Sequence, residues 1–508
     1  MRLQQQPPAN VDVLTPPPSG KPLSGNLTVA AIAAAGGVLA LALMVAGGNL
    51  LSAANSELSV FLPVVALFGV AALALAVTRP RWVFLCFLLG AICIPETLET
   101  TYLPLGFMKL YIQDLVFLFN CAIIAVRLSV GKGSLRGIPF NRYVLIYFLF
   151  GLWGVVNGLL LSGNPYDEVL GDFRRAYFYF MNYFVVILLV DDIGETRLLR
   201  NVIFAGTLLL MAKGILQVAL GQFYVRRAGD AAHILSHNEL TTVTFGIFLA
   251  LSHILFDPAA RRWLWAAVVT VGLGVVAIGN YRSAWLGLIG GLFFIFLFLP
   301  ARKKTVMIGA TLLATAFLAL AIFAMWDYEV VDNSTLGREL LMKTDVKAAA
   351  LDLNVIWRWQ SYDAAVQRWL ESPIFGAGLG TYLTFYTVTS TGGSMLADSH
   401  NIHNSLLWIL MVQGVVGFAF IVFLHFTYLR TVVRYLRTSN WLEGKTTLFA
   451  CGAFYVSMMI ATMFQNFLEN AMPVTIFAAV TALTMLTIFD TKRAQSSSAQ
   501  SPTGIPWD

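Results

Sequence analysis

Arg282 stands where two apolar runs meet, within Asn280-Tyr281-Arg282-Ser283-Ala284-Trp285-Leu286. A guanidinium at the end of an apolar run must find an anion, water or a carbonyl. Its planar fork suits two-point contact with phosphate. The competing role is an anchor that snorkels to a membrane surface. Arg358 and two arginine pairs, Arg174-Arg175 and Arg226-Arg227, also lie between apolar runs. Gathered at the mouth of a membrane cavity, these groups would hold a lipid-linked diphosphate. Taken singly they would be headgroup contacts or ion-pair partners of Asp167, Glu168, Asp172 and Asp230.

The candidate base is His403, in His400-Asn401-Ile402-His403-Asn404-Ser405-Leu406. Imidazole exchanges a proton near neutral pH, and the helix start that follows favours an anion. The bland role is a capping or interfacial histidine. His400 lies three residues away and competes for the same assignment. A metal site would need a third ligand at suitable spacing, which the sequence lacks, so neither metal nor cofactor is expected. His237-Asn238-Glu239 opens another predicted helix, either as a polar substrate contact or with Asn238 as the helix cap. Asn404 beside His403 is a further candidate contact. Lys213 sits within an apolar run, which marks it as functional or as snorkelling outward. Asp114, at the start of a predicted helix, is expected to partner Lys109 or an arginine.

Elements able to position these groups follow from the hydropathy. The 508 residues are 58% hydrophobic and 12% charged, against about 25% charged in soluble domains. Lipid must therefore be the solvent for much of the chain. An all-α polytopic membrane protein is predicted, with about fourteen spans of the length a bilayer requires. They fall near 27–47, 59–77, 82–95, 111–130, 143–162, 177–190, 199–220, 239–256, 263–279, 284–300, 305–325, 404–426, 447–466 and 471–489. The organisation expected is a tail at 1–24, helices over 25–325, a long loop at 326–403, helices over 404–489 and a tail at 490–508. The first tail, rich in Pro and Gln, has no signal-peptide pattern.

Most of the 33 Lys and Arg residues fall in alternate loops. The positive-inside rule then places both termini in the cytoplasm and the 326–403 loop outside. That loop carries helical patterning over 356–370. Ser372-Pro373 stops it, and Gly376, Gly378 and Gly380 read as a flexible turn, so the segment is expected to fold as a lid. Cys86, Cys93, Cys121 and Cys451 read as small buried hydrophobes. The basic balance reflects membrane topology, and no nucleic-acid patch is present. Asp191-Asp192 has no Gly-rich phosphate loop beside it.

Three motifs resemble the O-antigen ligase and polymerase family. His403-Asn404, then nine residues, Gly414, two residues and Gly417 is similar to its His-Asn-x9-Gly-x2-Gly signature. Arg282 through Leu286 resembles its Arg-x3-Leu segment. Arg358-Trp359-Gln360-Ser361-Tyr362-Asp363-Ala364-Ala365, followed by Ser372-Pro373-Ile374-Phe375-Gly376-Ala377-Gly378-Leu379-Gly380, resembles its long periplasmic loop. The sequence departs from the pattern at Tyr362, where Trp is common, and at Val412, where an acid is common.

The resemblance covers about residues 100–490. It implies a type C glycosyltransferase-like enzyme of the bacterial inner membrane. Its donor would be an undecaprenyl-diphosphate-linked glycan, its acceptor a glycan or lipid A-core hydroxyl, and its partners other proteins of polysaccharide assembly and export. Arg282 and Arg358 would hold the diphosphate, and His403 would orient or deprotonate the acceptor. Chain length and Trp408 favour a polymerase over a ligase. The rival class is a lipid-oligosaccharide flippase or other transporter, which predicts polar residues in both leaflets and internal symmetry.

Overall fold

The computed structural model describes residues 80–93, 102–104, 109–129, 135, 137–220, 234–279, 281–299, 301–305, 353–388, 393–400, 402–439 and 441–499. The expected helices at 27–47, 59–77 and 305–325, the first tail, Arg226 and Arg227 lie outside the described residues.

The described chain is mostly helical. Its helices are α1 Pro80–Cys93, α2 Ile112–Ser129, α3 Asn141–Val156, α4 Tyr166–Phe173, α5 Asn182–Leu189, α6 Ile193–Ala219 and α7 His237–Phe256. They continue as α8 Arg262–Gly279, α9 Arg282–Phe298, α10 Leu353–Glu371, α11 Ser405–Thr438, α12 Leu442–Thr462 and α13 Ala471–Ala499. Two small antiparallel hairpins complete it, β1 Tyr102–Pro104 with β2 Lys109–Tyr111, and β3 Leu383–Val388 with β4 Ser394–Ser399. Seven helices among the described residues are long and apolar enough to cross a membrane, and α1 and α9 are shorter apolar helices. The chain is therefore a multi-pass membrane protein. The expected helix at 177–190 is broken: a π turn at Arg174–Phe178 and a 3-10 turn at Tyr179–Met181 run from α4 into α5. Arg174 and Arg175 thus belong to a helical path instead of a short loop.

The bundle is built around α13, whose apolar window is 94% buried. A helix apolar on every face has no reason to meet water. Its threonines would leave hydroxyls unsatisfied in lipid, yet Thr481, Thr484, Thr487 and Thr491 each donate to the carbonyl four residues earlier. Small residues let α9 approach α12: a Cβ at Gly287 would stand 2.7 Å from the Ser457 carbonyl oxygen. Basic residues and their partners gather at one end. Arg127 pairs with Asp191 at 2.5 Å, Arg197 and Arg200 grip Glu443 at 2.5 and 3.1 Å, and Arg81 pairs with Glu195. Asp192 caps α6 there, accepting from the Glu195 amide.

The described parts of the stretch 353–403 cover the opposite end. α10 matches the patterning expected over 356–370, and Ser372 closes its last turn on the Trp369 carbonyl. The glycine turn that follows is wedged between α3 and α11. Gly414 breaks α11 with φ 64° and ψ −168°, a region open to glycine alone. The break frees backbone groups that the turn then takes. Ala377 and Gly378 donate to the Met411 and Val412 carbonyls at 2.8 and 3.0 Å, and Val415 and Val416 donate to Pro373 and Ile374. Asn157, in a π turn that prolongs α3, donates to the Phe375 and Gly376 carbonyls, both at 3.1 Å. Asn164 donates to Ala377 and Leu379. The expected flexible turn is corrected: its glycines take φ of 75–80° because neighbouring backbone leaves no room for Cβ. The expectation of four buried cysteines is also corrected, since Cys86 is exposed and Cys93 and Cys121 are half-buried.

A Cβ at Gly378 would lie 2.5 Å from the Gly158 backbone, whereas one at Gly137 would meet nothing within 4 Å. Gly378→Ala is expected to cost about 2–5 kcal/mol, from left-handed strain and overpacking together. Gly137→Ala should be near neutral. Thermal unfolding of the detergent-solubilised protein compares the two, and equal melting temperatures would contradict the wedge.

Candidate active site

The starts of α7, α9 and α11 and the turn between α12 and α13 are joined by contacts, and α10 reaches the start of α11. His403 precedes α11 and has φ 50°, the one described non-glycine residue with positive φ. Histidine tolerates that region better than most side chains, but the conformation is uncommon and is held here by contacts. The Tyr362 hydroxyl of α10 donates to the His403 carbonyl at 3.4 Å, and the Trp357 ring meets the imidazole edge-on at 5.5 Å. Asn404 is the helix cap, its side chain accepting from the Leu407 amide at 3.0 Å. Arg358 lies one turn before Tyr362 on α10. Its charge and the Asn404 side chain both act on the Tyr362 phenol, although burial raises that pKa more than they lower it.

Arg282 opens α9. The next residue, Ser283, accepts from Gln465 Nε2 at 3.4 Å, and the Gln465 carbonyl accepts from Ser405 Oγ at 3.2 Å. Gln465 is thus a strut between the helix starts that follow Arg282 and His403. Tyr281 also meets the His237 ring at 5.8 Å, and His237 meets Phe467 at 5.4 Å. His237 therefore joins this cluster from the start of α7. Asn238 is not the α7 cap. Ser236 is, in a reciprocal capping box with Glu239. Lys213 reaches the same helix start and pairs with Glu239 at 2.5 Å, so its charge balances a buried carboxylate.

The described arginine pair is committed to protein carboxylates. Arg174 lies over the Tyr111 ring at 4.4 Å and pairs with Asp114 at 3.3 Å. Asp114 also accepts from the Tyr111 amide at 2.8 Å and from Tyr179. Of the partners expected for Asp114, the arginine is observed. Arg175 pairs with Asp172 at 2.9 Å.

Asp172 is 2% exposed and joins three elements. Its Oδ1 accepts from Arg175 and lies 2.5 Å from His400 Nε2, and its Oδ2 accepts from the Gly380 amide at 2.9 Å. Burial alone would raise its pKa. The His400 hydrogen bond, the His400 and Arg175 charges and the Gly380 amide overcome that and hold it below the usual range. For His400 burial works against the cation, but the bond and charge of Asp172 prevail and raise its pKa. Glu469, in the 3-10 turn Phe467–Glu469, is the third member. It is buried and receives Ser405 Oγ at 3.5 Å. Burial and the nearby Asp172 charge push it up to about 8, against the pull of His400 and Arg175.

The sequence reading named Asp172 only as a partner of the arginines, the role it has toward Arg175, and missed its contacts with His400 and Gly380 and the groups Gln465 and Glu469. Glu469 had one legible signal, an acid in the short gap between two apolar runs. Gln465 had none. Among the described residues no three His, Cys, Asp or Glu side chains gather as metal ligands.

Residues 266–422 match the family model described as O-Antigen ligase. No curated protein matches the chain. The matched stretch holds Arg282, Arg358, His400, His403 and the break at Gly414. It excludes Asp172, Arg175 and Glu469.

In an unfolded chain Glu469 titrates near the ordinary value of about 4.3, so from there to about 8 the folded state binds more protons. Stability must fall as pH rises across that window. His400 acts in the same direction from about 6.5 upward. Asp172, with its lowered pKa, contributes stability that is lost in more acidic solution. Melting temperatures of wild type and Glu469→Gln between pH 5 and pH 9 isolate Glu469, because His400 titrates in both. The variant is expected to lose less stability toward pH 9; parallel curves would show that Glu469 is not held protonated.

Proposed function

We propose that the chain, whose residues 266–422 match the O-antigen ligase family model, is a member of the O-antigen ligase and polymerase family, a glycosyltransferase-like family acting on lipid-linked glycans in membranes, and that it elongates or transfers a surface polysaccharide. The donor is a glycan on undecaprenyl diphosphate, and the enzyme lies in the bacterial inner membrane. Both termini are cytoplasmic and the site is periplasmic. The basic residues at the far end of the bundle, including Arg127, Arg197 and Arg200, support that orientation.

The observation that carries this reading is the set of contacts joining three segments. Tyr362 ties the Arg358 helix to His403, and Gln465 ties the start of α9, with Arg282, to the start of α11. Arg282 and Arg358 hold the diphosphate and offset the charge it gains on leaving. His403 orients or deprotonates the acceptor hydroxyl. The hydroxyl oxygen attacks the anomeric carbon, and the glycosyl–phosphate bond breaks with its electron pair on the diphosphate. The leaving group is already activated, so the reaction calls for neither metal nor cofactor. A growing chain passed to a new lipid-linked repeat, the polymerase reaction, is the version we favour over transfer to lipid A-core. Polysaccharide assembly and export proteins are the partners such a reaction would need.

Reconstitution with a lipid-linked oligosaccharide tests this. His403→Ala, Arg282→Ala and Arg358→Ala should each lower turnover about 100-fold or more without loss of folded protein. A ladder of longer lipid-linked chains identifies a polymerase, and product on lipid A-core alone a ligase. Passage of the oligosaccharide across the bilayer with no new glycosidic bond would make the chain a transporter.

A further inference from the structure

His400 and Asp172 form a dyad that the assignments above leave unused. Asp172 is ionised and accepts hydrogen bonds only, so the ring nitrogen that faces it, Nε2 at 2.5 Å, must carry the proton. The other nitrogen, Nδ1, is buried and has no hydrogen-bond partner among the described residues. Buried polar atoms are nearly always paired. A ring gripped firmly on one side and unpartnered on the other matches the logic of an oriented base.

Resting on the glycosyl-transfer reading, we infer that His400 is a second imidazole facing substrate, whose Nδ1 takes the proton of the acceptor hydroxyl while Asp172 holds Nε2 as the donor. His403 then orients the reactants. The hydroxyl proton moves to Nδ1 as its oxygen bonds the anomeric carbon. The glycosyl–phosphate bond breaks and its electron pair stays on the diphosphate. The new imidazolium is stabilised by Asp172 and afterwards gives its proton to water.

The surroundings suit this task. Arg175 and Glu168 face the ring from the α4 side, with Glu168 Oε2 3.9 Å from Nε2. Tyr382 packs on the ring at 5.2 Å and donates its hydroxyl to Glu168 at 2.5 Å. Glu469 faces it electrostatically from the turn between α12 and α13. Asp172 is thus a positioning residue, and His400 the group that touches substrate. Asn157 and Asn164 pin the glycine turn through other bonds, so the fold does not hang on the dyad.

The test compares wild type, His400→Ala, His400→Asn and Asp172→Asn in the reconstituted transfer assay. Melting temperature monitors folding. His400→Ala is expected to lower kcat about 100- to 10,000-fold with the donor KM changed less than threefold. Asp172→Asn removes the charge that favours the imidazolium, so the acid limb of its kcat–pH profile should move to lower pH. Should His400→Ala fail to fold, His400→Asn and the Asp172→Asn profile decide the matter. The histidine resonances of the full chain, six in all, report the same shift without turnover, and His400→Asn identifies the signal. Retention of kcat within threefold in a folded His400 variant, or an acid limb unmoved in Asp172→Asn, overturns the inference and leaves the glycosyl-transfer reading standing. That pattern would mark His400 as a structural imidazole whose Nδ1 holds a water. A wild type that forms no glycosidic bond from any lipid-linked glycan overturns the reading itself.

Discussion

The exchange of backbone hydrogen bonds between the glycine turn and the break in α11 is the interaction on which the rest of the structure depends. A helix interrupted inside a membrane protein exposes amides and carbonyls that lipid cannot satisfy. Gly414 makes that interruption, and the stretch from Pro373 to Gly378 supplies the missing partners. The extramembrane segment is thereby stitched into the bundle at backbone level. α10 then lies over the start of α11, and Arg358 and His403 come under one roof. A side-chain contact would be tunable by substitution. This one admits glycine alone, which gives the spacing from His403 to Gly414 a physical meaning: it sets how far below His403 the segment is anchored.

Electrostatics at this end follow from scarcity of water. Asp114, Asp172 and Glu239 are buried, and each has a cation in contact: Arg174, Arg175 and Lys213. Breaking such a pair would strand a buried charge, which costs far more than an exposed pair contributes. Arg174 and Arg175, which the sequence offered for phosphate, and the candidate Lys213 are therefore engaged by protein carboxylates. Glu469 stands differently. Its hydrogen-bond partner is the neutral Ser405, its neighbour Asp172 already holds Arg175 and His400, and burial leaves it a proton carrier instead of a fixed charge.

What could be read from sequence divides along a physical line. Runs of about 20 apolar residues located the helices because hydropathy is a one-dimensional property. α10 was legible from its spacing and from the Ser-Pro stop. The broken path from α4 to α5 was not, since π and 3-10 turns carry no distinct periodicity. Arg282 and His403 were visible as polar groups at the ends of apolar runs, where a cost must be met. The Asn238 cap failed because Ser236, two residues earlier, forms the capping box with Glu239. Asp172 was legible only as an arginine partner and Gln465 not at all, because their further contacts reach across more than a hundred residues of chain. Asp172 is 228 positions from His400 and 208 from Gly380.

That separation bears on how the site is divided. Residues 266–422 bring Arg282, Arg358, His400, His403 and the glycine turn. The Asp172 carboxylate that gives His400 its tautomer comes from α4, and the Gln465 strut from the α12–α13 junction. Of the two histidines, three residues apart, the His400 ring faces Asp172 and the His403 ring faces Trp357, with the Tyr362 hydroxyl on the His403 backbone carbonyl. The matched stretch therefore carries Arg282, Arg358, His400 and His403, while flanking elements supply the Asp172 carboxylate that fixes the His400 ring and the Gln465 strut between α9 and α11.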